Sequence, residues 1–525
     1  MVFIASFCTL VIELVAGRIL APHVGVSLYT WTSIIGVVLA GISLGAWAGG
    51  WLADRRPFPS TLGWLLLASG ITALLIAPAA DALGSDHRLQ AAIGMARTLP
   101  QRVVLLATLL FFLPSFFLGT ISPVAVKLAV GDLQKAGRVV GKIYAFSTLG
   151  AIAGTFTTGF YLVARFGTRT TMLGVGAVLI VSALVFGDLL GRWGRIAALL
   201  FVGTLAMLLA FGTRSFDPPL QKLNASAAES GTVHLEDSQY YTIEVEQTVD
   251  EDDGRPLQAL RLDHLVHSFS DMNDPSYLAY GYQQIFNDAI RWKCRQSPIA
   301  NLLFIGGGGY TLPRLTELRW PGAEIEVVEI DPAVTRIAHR FFGLPRQTGI
   351  RTINEDARWL AMRSSSRYDL IIVDAFNDLS VPYHLTTREF TQQLRNRLAP
   401  DGALVTNVVD NFARGRFLAS YVKTLQSVFG EQNVAVMIES ELDTEDVQST
   451  FVVIASPVLD RMLSSIQNDR KLTDPPAAAG RPLPPEDLRR YLLSRRAIVL
   501  TDDYVPVDNM LAPLFAERFV NEIDN

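Results

Sequence analysis

The chain has almost no cysteine. Two are present in 525 residues, Cys8 and Cys294, one in each half. A disulfide framework is therefore not expected, which fits a reducing compartment for the later half. Charge is also scarce, at 18% of residues against 50% hydrophobic, and the formal net charge is -5. With no basic surface, no nucleic-acid partner is expected. The first apolar run has neither a basic leader nor a small-residue cleavage site, so it does not read as a signal peptide. His264 and His267, in LDHLVHSF, lack the i, i+4 spacing and the accompanying cysteines of a metal site. No metal is expected.

What the chain has instead is two unlike halves. Up to Thr213 it is a series of long apolar stretches, and beyond that charged residues appear at ordinary globular density. With roughly 20 apolar residues needed per crossing, about seven spans are expected: Val2–Leu20, Leu28–Leu52, Leu62–Leu83, Val103–Val130, Val139–Val163, Met172–Leu190 and Ile196–Phe211. Gly41 with Gly45, and Gly150 with Gly154, form small faces on which helices pack closely in lipid. Glu13 and Arg18 lie in or at the end of the first span, where charge faces a partner or a cavity. Their spacing is awkward for a direct ion pair.

The positive-inside rule would put Asp54-Arg55-Arg56 and the cluster Lys127, Lys135, Arg138 and Lys142 in the cytoplasm, with Arg88, Arg97 and Arg102 outside. With seven spans that choice would send the second half outside. The charge bias is weak, and the second half is expected in the cytoplasm and the first in a bacterial inner membrane.

A connector over residues 214–230 ends the apolar region of residues 1–213. Alternating runs at Tyr240–Gln247 and Leu257–Leu262, parted by the acidic turn Asp250–Gly254, predict a β-hairpin subdomain. Helical text follows, and the subdomain with its helix covers residues 231–298. From 299 to 456, strands are expected at Leu302–Ile305, Ile325–Glu329, Ile350–Ile353, Leu370–Asp374, Ala403–Val408, Val434–Ile438 and Phe451–Ala455. The clearest helices between them are Asp331–Phe342, Thr387–Leu398 and Phe417–Phe429. Continuous apolar strands alternating with amphipathic helices predict a buried parallel sheet covered on both faces. Residues 457–525 form a loop and helical extension.

In such a sheet, ligands bind at the carboxyl ends of the strands. Four successive strand ends carry Gly306–Gly309, Glu329, Asp356 and Asp374. The turn Gly306, Gly307, Gly308, Gly309 precedes a helix, so backbone can approach a ligand closely and the helix start offers free N–H groups. Gly306 and Gly308 fit G-x-G-x-x-G, but Thr311 takes the third glycine position. Glu329, 23 residues past Gly306, is placed to accept the two ribose hydroxyls. Asp356 either accepts from an adenine amino group or caps the helix after it. Asp374 can hold a cationic amine and take its proton as the nitrogen attacks. Asp502 and Asp503 are candidates to close over the pocket and bind a cation.

With these motifs in order, Tyr240–Asp410 resembles the spermidine synthase (polyamine aminopropyltransferase) family. The matching stretches are SQYYTIEV, LRLDHLVHS, LLFIGGGGY, VVEIDP, NEDARWL, YDLIIVDAF and VPYHLTTREF leading to LAPDGALV. The whole arrangement is similar to bacterial membrane-bound spermidine synthase-like proteins. The resemblance implies a multi-span α-helical membrane domain, then a small β-hairpin subdomain and an α/β Rossmann-like, methyltransferase-type domain. It implies aminopropyl transfer from decarboxylated S-adenosylmethionine to a polyamine acceptor, with methylthioadenosine released. Glu329 would hold ribose, Asp356 with Ala357 the adenine, and Asp374 the attacking amine. Tyr241, His267, Asn377 and Asp378 would line the substrate site, and a homodimer is one assembly the family uses.

The chain departs from the family at several of these positions. The family's GGGDG, whose Asp grips the donor's aminopropyl ammonium, has Gly309 and Tyr310 at its last two positions here. Tyr241 replaces a Gln, His267 falls where LDG-x-x-Q has Gln, and Asn377 replaces the second acid of D-x-x-D. The frame for the adenosyl group survives better than the donor-tail contacts, so S-adenosylmethionine-dependent methyl transfer and a non-catalytic polyamine transporter or sensor stand as alternatives.

Overall fold

The computed structural model describes residues 1–24, 28–85, 99–189, 231–250, 253–263, 265–297, 299–375, 381–471 and 480–511. The chain divides into two compact units. Among the described residues, the first holds the helices up to residue 189 together with the turn Glu236–Thr242. The second holds the rest of the described chain from residue 231 onward.

Apart from that turn, the described part of the first unit is built of helices and their short connections. Six helical stretches are long and apolar enough to cross a membrane: Val2–Ala21, Leu28–Arg55, Pro59–Ala80, Pro100–Ala129, Ala136–Leu162 and Arg165–Phe186. The seventh expected span, Ile196–Phe211, lies outside the described residues. Glycine sets the closest helix contacts. A Cβ at Gly45 would lie 2.0 Å from the Phe116 carbonyl oxygen, and one at Gly150 would lie 2.2 Å from that of Phe3. Side chains are excluded there, so backbones meet directly.

The order of such contacts fixes helix direction. Gly41, Gly45 and Gly49 meet Ser115, Phe116 and Thr120 in rising order, so these two helices run parallel. Gly150 and Gly154 meet Phe3 and Phe7 likewise, while Gly63 and Gly70 meet Gly187 and Gly176 in reverse. The N-terminus and the segments around Arg56 and Val130 therefore share one end of the bundle. The C-terminal end of Val2–Val24 and the start of the last helix share the other. Arg18 does not turn to Glu13; its Nη1 donates to the Gln239 carbonyl at 3.1 Å.

The second unit contains two sheets. Strands β1 (Thr232–Asp237), β2 (Thr242–Val249), β3 (Pro256–Leu262) and β4 (Leu265–Ser270) form a four-stranded sheet in that order. The expected hairpin is its centre, β2 and β3 pairing antiparallel with Val245 opposite Leu260. Ile243 and Val245 are fully buried, while Glu244 and Glu246 between and beyond them are reached by Arg261. That alternation is the period-two pattern of a sheet with one wet face.

The large sheet comprises β5 (Asn301–Ile305), β6 (Glu324–Val328), β7 (Arg351–Ile353), β8 (Tyr368–Val373), β9 (Leu398–Asn411), β10 (Val434–Ile438), β11 (Gln448–Ala455) and β12 (Arg481–Pro482), in the order β12-β10-β11-β9-β8-β5-β6-β7. Strands β7, β6, β5, β8 and β9 are parallel neighbours. Strand β11 lies antiparallel between β9 and β10. The expectation of a parallel sheet is thus corrected to a mixed one. Parallel neighbours need a crossover of about a dozen residues or more, and residues 439–447 hold only one short 3-10 turn, so β10 and β11 close as a hairpin. Leu302, Leu370, Ile371, Ala403, Leu404 and Val405 are 0% exposed, which is the burial a parallel sheet requires.

Candidate active site

The neighbouring parallel strands β8, β5, β6 and β7 end side by side, and each is followed by a residue singled out in the sequence. After β5 the chain turns through Gly306, whose φ is +99, and Gly308, whose φ is +49. Only glycine adopts the first without strain. A Cβ at Gly306 would lie 2.1 Å from the Asp374 carbonyl oxygen, so this turn sits directly on the end of β8. Tyr310, where the resemblance expects glycine, holds a left-handed φ of +55. Its ring is 0% exposed and its hydroxyl lies 2.9 Å from Thr335 Oγ1, and that packing holds the unfavourable backbone. The helix Thr311–Arg319 begins there.

Glu329 follows β6 and is 7% exposed. Its carboxylate accepts from the Gly307 amide at 2.8 Å and the Asp331 amide at 2.9 Å. It therefore braces the glycine turn as well as facing it. A carboxylate has about four acceptor directions, so capacity for a ligand hydroxyl remains. Burial pushes its pKa up against these amide hydrogen bonds.

Asp356 caps the helix Ala357–Arg363, accepting from the amides of Arg358 at 2.9 Å and Trp359 at 3.2 Å. Its other oxygen lies 2.9 Å from His384 Nε2, and that contact leads in holding its pKa below the usual carboxylate range. Capping and a polar contact at the pocket edge coexist in one carboxylate. Ala357 is the first residue of that helix and is 7% exposed.

Asp374 follows β8. Asn407 Nδ2 donates to one of its oxygens at 2.8 Å, and the Tyr282 hydroxyl approaches the other at 3.4 Å. Burial dominates those two bonds and raises the carboxyl to about 6. A base poised there suits proton transfer near neutral pH. Tyr282 stacks on Tyr280 at 5.5 Å, so aromatic faces stand next to the carboxylate.

The remaining expectations fare differently. Ser268 on β4 accepts from the Gly309 amide at 2.9 Å. His267 is the extra residue of a bulge in β4, since Ser268 pairs with Leu260 and Val266 with Arg261. His267 Nε2 is buried without a partner, and burial lowers its pKa to about 4. Tyr241 belongs to the first unit, in the turn Glu236–Thr242, where its amide donates to Ser238 Oγ at 2.8 Å. Asn377 and Asp378, like His264, lie outside the described residues. Asp502 is not free to bind a polyamine: Arg358 Nη1 reaches it at 2.8 Å and Nη2 binds its other oxygen. Among the described residues no three His, Cys, Asp or Glu side chains gather as a metal-ligand group.

Four contributors escaped the sequence reading. Asn407 interrupts the apolar text of β9, and a polar residue inside a buried strand was the available signal. Its Oδ1 is buried without a protein partner. Tyr282, His384 and Ser268 carried no signal, because only the tertiary fold brings their elements to the strand ends.

Glycine turn, acidic second-strand end and acidic fourth-strand end on adjacent parallel strands define a Rossmann-like α/β domain with its candidate ligand site at the carboxyl ends of the strands. Residues 293–444 match the spermine/spermidine synthase domain. A polyamine aminopropyltransferase of Vibrio vulnificus is 36% identical over 133 residues, 25% of this chain and 44% of that protein. Polyamine aminopropyltransferase 1 of Streptomyces coelicolor is 25% identical over 448 residues, 81% of this chain and 78% of that one. A probable spermidine synthase from Corynebacterium glutamicum aligns in structure at 21% identity and a TM-score of 0.44, covering 52% of this chain and 96% of that one. Residues 293–444 thus match a spermine/spermidine synthase domain, and the chain is similar to polyamine aminopropyltransferases. It spans less than half the length of the first curated relatives it matches.

Proposed function

We propose that the chain is a membrane-embedded aminopropyltransferase that uses decarboxylated S-adenosylmethionine and a polyamine or diamine acceptor. The observation that carries this reading is Asp374: a half-buried carboxyl with a pKa of about 6, at a strand end abutting the glycine turn and beside two tyrosine rings. The acceptor's neutral nitrogen attacks the carbon next to the donor's sulfonium. A C–N bond forms as the C–S bond breaks, and methylthioadenosine leaves with the bonding pair. The new ammonium passes its excess proton to Asp374. Glu329 and Asp356 hold the nucleoside, and alignment within the crevice does much of the work.

The six apolar helices support the membrane placement. The cytoplasmic side for the catalytic half follows from the donor, since adenosyl sulfonium compounds are scarce outside the cell. Incubation of the detergent-purified chain with each donor in turn tests the function. Methylthioadenosine from the decarboxylated donor is expected, and its absence with every amine tried would overturn the assignment.

A second reading is favoured by one observation at Gly309. A Cβ there would lie 2.9 Å from Ser268 Cβ, so no acidic side chain fits to grip an aminopropyl ammonium. S-adenosylmethionine with its carboxylate intact then becomes a donor, and S-adenosylhomocysteine the product to look for.

A further inference from the structure

The segment Ala497–Asp502, which follows the helix Pro485–Ser494, is irregular apart from one bridge, so its backbone groups must find partners elsewhere. They find them on two helices. Ser420 and Thr424 stand four apart on one face of the helix Phe417–Phe429. Ser420 Oγ accepts from the Ile498 amide at 3.3 Å and Thr424 Oγ1 from the Leu500 amide at 2.8 Å, while Lys423 Nζ donates to the Ala497 carbonyl at 2.7 Å. At the start of the helix Arg388–Arg397, the Arg388 amide donates to the Leu500 carbonyl at 2.8 Å, and Glu389 accepts from the Asp502 amide at 3.0 Å. Leu500 is fully buried, and Thr501 and Tyr504 close a tight turn by exchanging amide and carbonyl. Asp502, inside that turn, therefore has a fixed backbone.

It is fixed beside Arg358. Nη1 of Arg358 donates to Asp502 Oδ1 at 2.8 Å and to the His384 carbonyl at 2.9 Å, and Nη2 donates to Asp502 Oδ2. Such a two-pronged pair fixes orientation as well as distance, and it holds the Asp502 carboxyl below the usual carboxylate range. His384 Nε2 in turn lies 2.9 Å from Asp356 Oδ2, and Asp356 Oδ1 accepts from the Arg358 amide at 2.9 Å. Asp356, Arg358 and His384 thus close a ring of hydrogen bonds, which Asp502 clamps from outside. All four belong to the second unit. The Asp502 side chain is 42% exposed, and ion pairs that open to water add little stability. Orientation is what this pair supplies.

We propose that Asp502 and Arg358 are positioning residues: the segment Ala497–Asp502 fixes the Arg358 guanidinium, which holds His384 against Asp356 and so sets the affinity for the nucleoside. This rests on the reading that Asp356 holds the nucleoside. One Asp356 oxygen is committed to helix amides, and the other has room for a ligand donor beside His384. Release of the His384 backbone lets that second oxygen lose its direction. Asp502 then acts on the donor from outside the crevice, in place of the cation contact its sequence position suggests.

The test uses the full chain in detergent, with Asp502→Ala, His384→Ala and the two combined. Methylthioadenosine affinity by titration calorimetry should fall about threefold in Asp502→Ala and about fivefold in His384→Ala. The double variant should bind as His384→Ala does, because Asp502 acts through His384. Hydrogen exchange at the Arg358 and Trp359 amides should quicken about threefold in Asp502→Ala, with the Gly307 amide protected as in wild type. A further loss of affinity in the double variant refutes the route through His384. Faster exchange at Gly307 as well means general loosening, which refutes a positioning role. Faster exchange at Arg358 and Trp359 with unmoved affinity refutes the bearing on the nucleoside, and weaker affinity without faster exchange refutes the clamp. Wild-type protein that binds no methylthioadenosine strikes at the nucleoside reading itself, and the exchange arm still decides whether the clamp holds Asp356.

Discussion

Replacing Asp374 by Asn should cut turnover roughly 10²–10⁴-fold while making the second unit more stable above neutral pH. The two carboxyl oxygens receive Asn407 Nδ2 at 2.8 Å and the Tyr282 hydroxyl at 3.4 Å, and an Asn side chain of the same shape keeps both neighbours. What it removes is a buried charge. The carboxyl stands at about 6 in place of the ordinary 3.8. At 1.36 kcal/mol per pH unit, ionisation in place costs at most about 3 kcal/mol, and about half that once the water still reaching the side chain is counted.

The sign follows from the direction of the shift. A carboxyl whose folded pKa is raised penalises the native state fully above the folded value of about 6, and the penalty fades as pH falls toward 3.8. Asp374→Asn should therefore unfold several degrees above wild type at pH 8 and at nearly the same temperature at pH 4. Turnover should fall roughly 10²–10⁴-fold, the usual contribution of a positioned base. Calorimetry in detergent at the two pH values, with a methylthioadenosine assay on the same samples, measures both. A variant that is less stable than wild type at pH 8, or that turns over normally, would show that the carboxylate is held by favourable contacts and performs no proton transfer.

Further outcomes follow from the same geometry. Wild-type kcat/KM should decline as pH drops through about 6, since protonated Asp374 can neither hold an ammonium nor accept its proton; a flat profile from pH 5 to 8 contradicts that role. Gly306→Ala places a methyl 2.1 Å from the Asp374 carbonyl oxygen at a φ of +99, so nucleoside binding by titration calorimetry should vanish and the melting temperature fall. His384→Ala leaves one Asp356 oxygen without its 2.9 Å partner, and methylthioadenosine affinity should drop about fivefold, near 1 kcal/mol. Because His384 depresses the Asp356 pKa, the stability gap between this variant and wild type should close as pH falls through the carboxylate range. In a background lacking Cys8 and Cys294, Arg56→Cys and Gln239→Cys should be labelled by an impermeant maleimide from opposite faces of the membrane; labelling from one face contradicts the bundle directions. Labelling of Gln239→Cys from outside the cell would remove the cytoplasmic donor.

Local text determined much of this protein. The apolar runs wrote the helices, because length and hydropathy alone decide what can cross a bilayer. Apolar strands ending in Gly306, Glu329 and Asp374 wrote the crevice, because parallel strands present their carboxyl ends together. Helix capping by Asp356 was legible for the same reason: it is an interaction across two residues. Tertiary structure alone decided whatever depends on contacts far apart in the chain. The antiparallel place of β11, the pairing of Asp502 with Arg358, and the contacts of Asn407 and Tyr282 with Asp374 join segments that no periodicity relates. So does the cap that Asp237 places on a helix 69 residues earlier. A periodic pattern records which face of an element is buried, but it carries no address for the element that covers it.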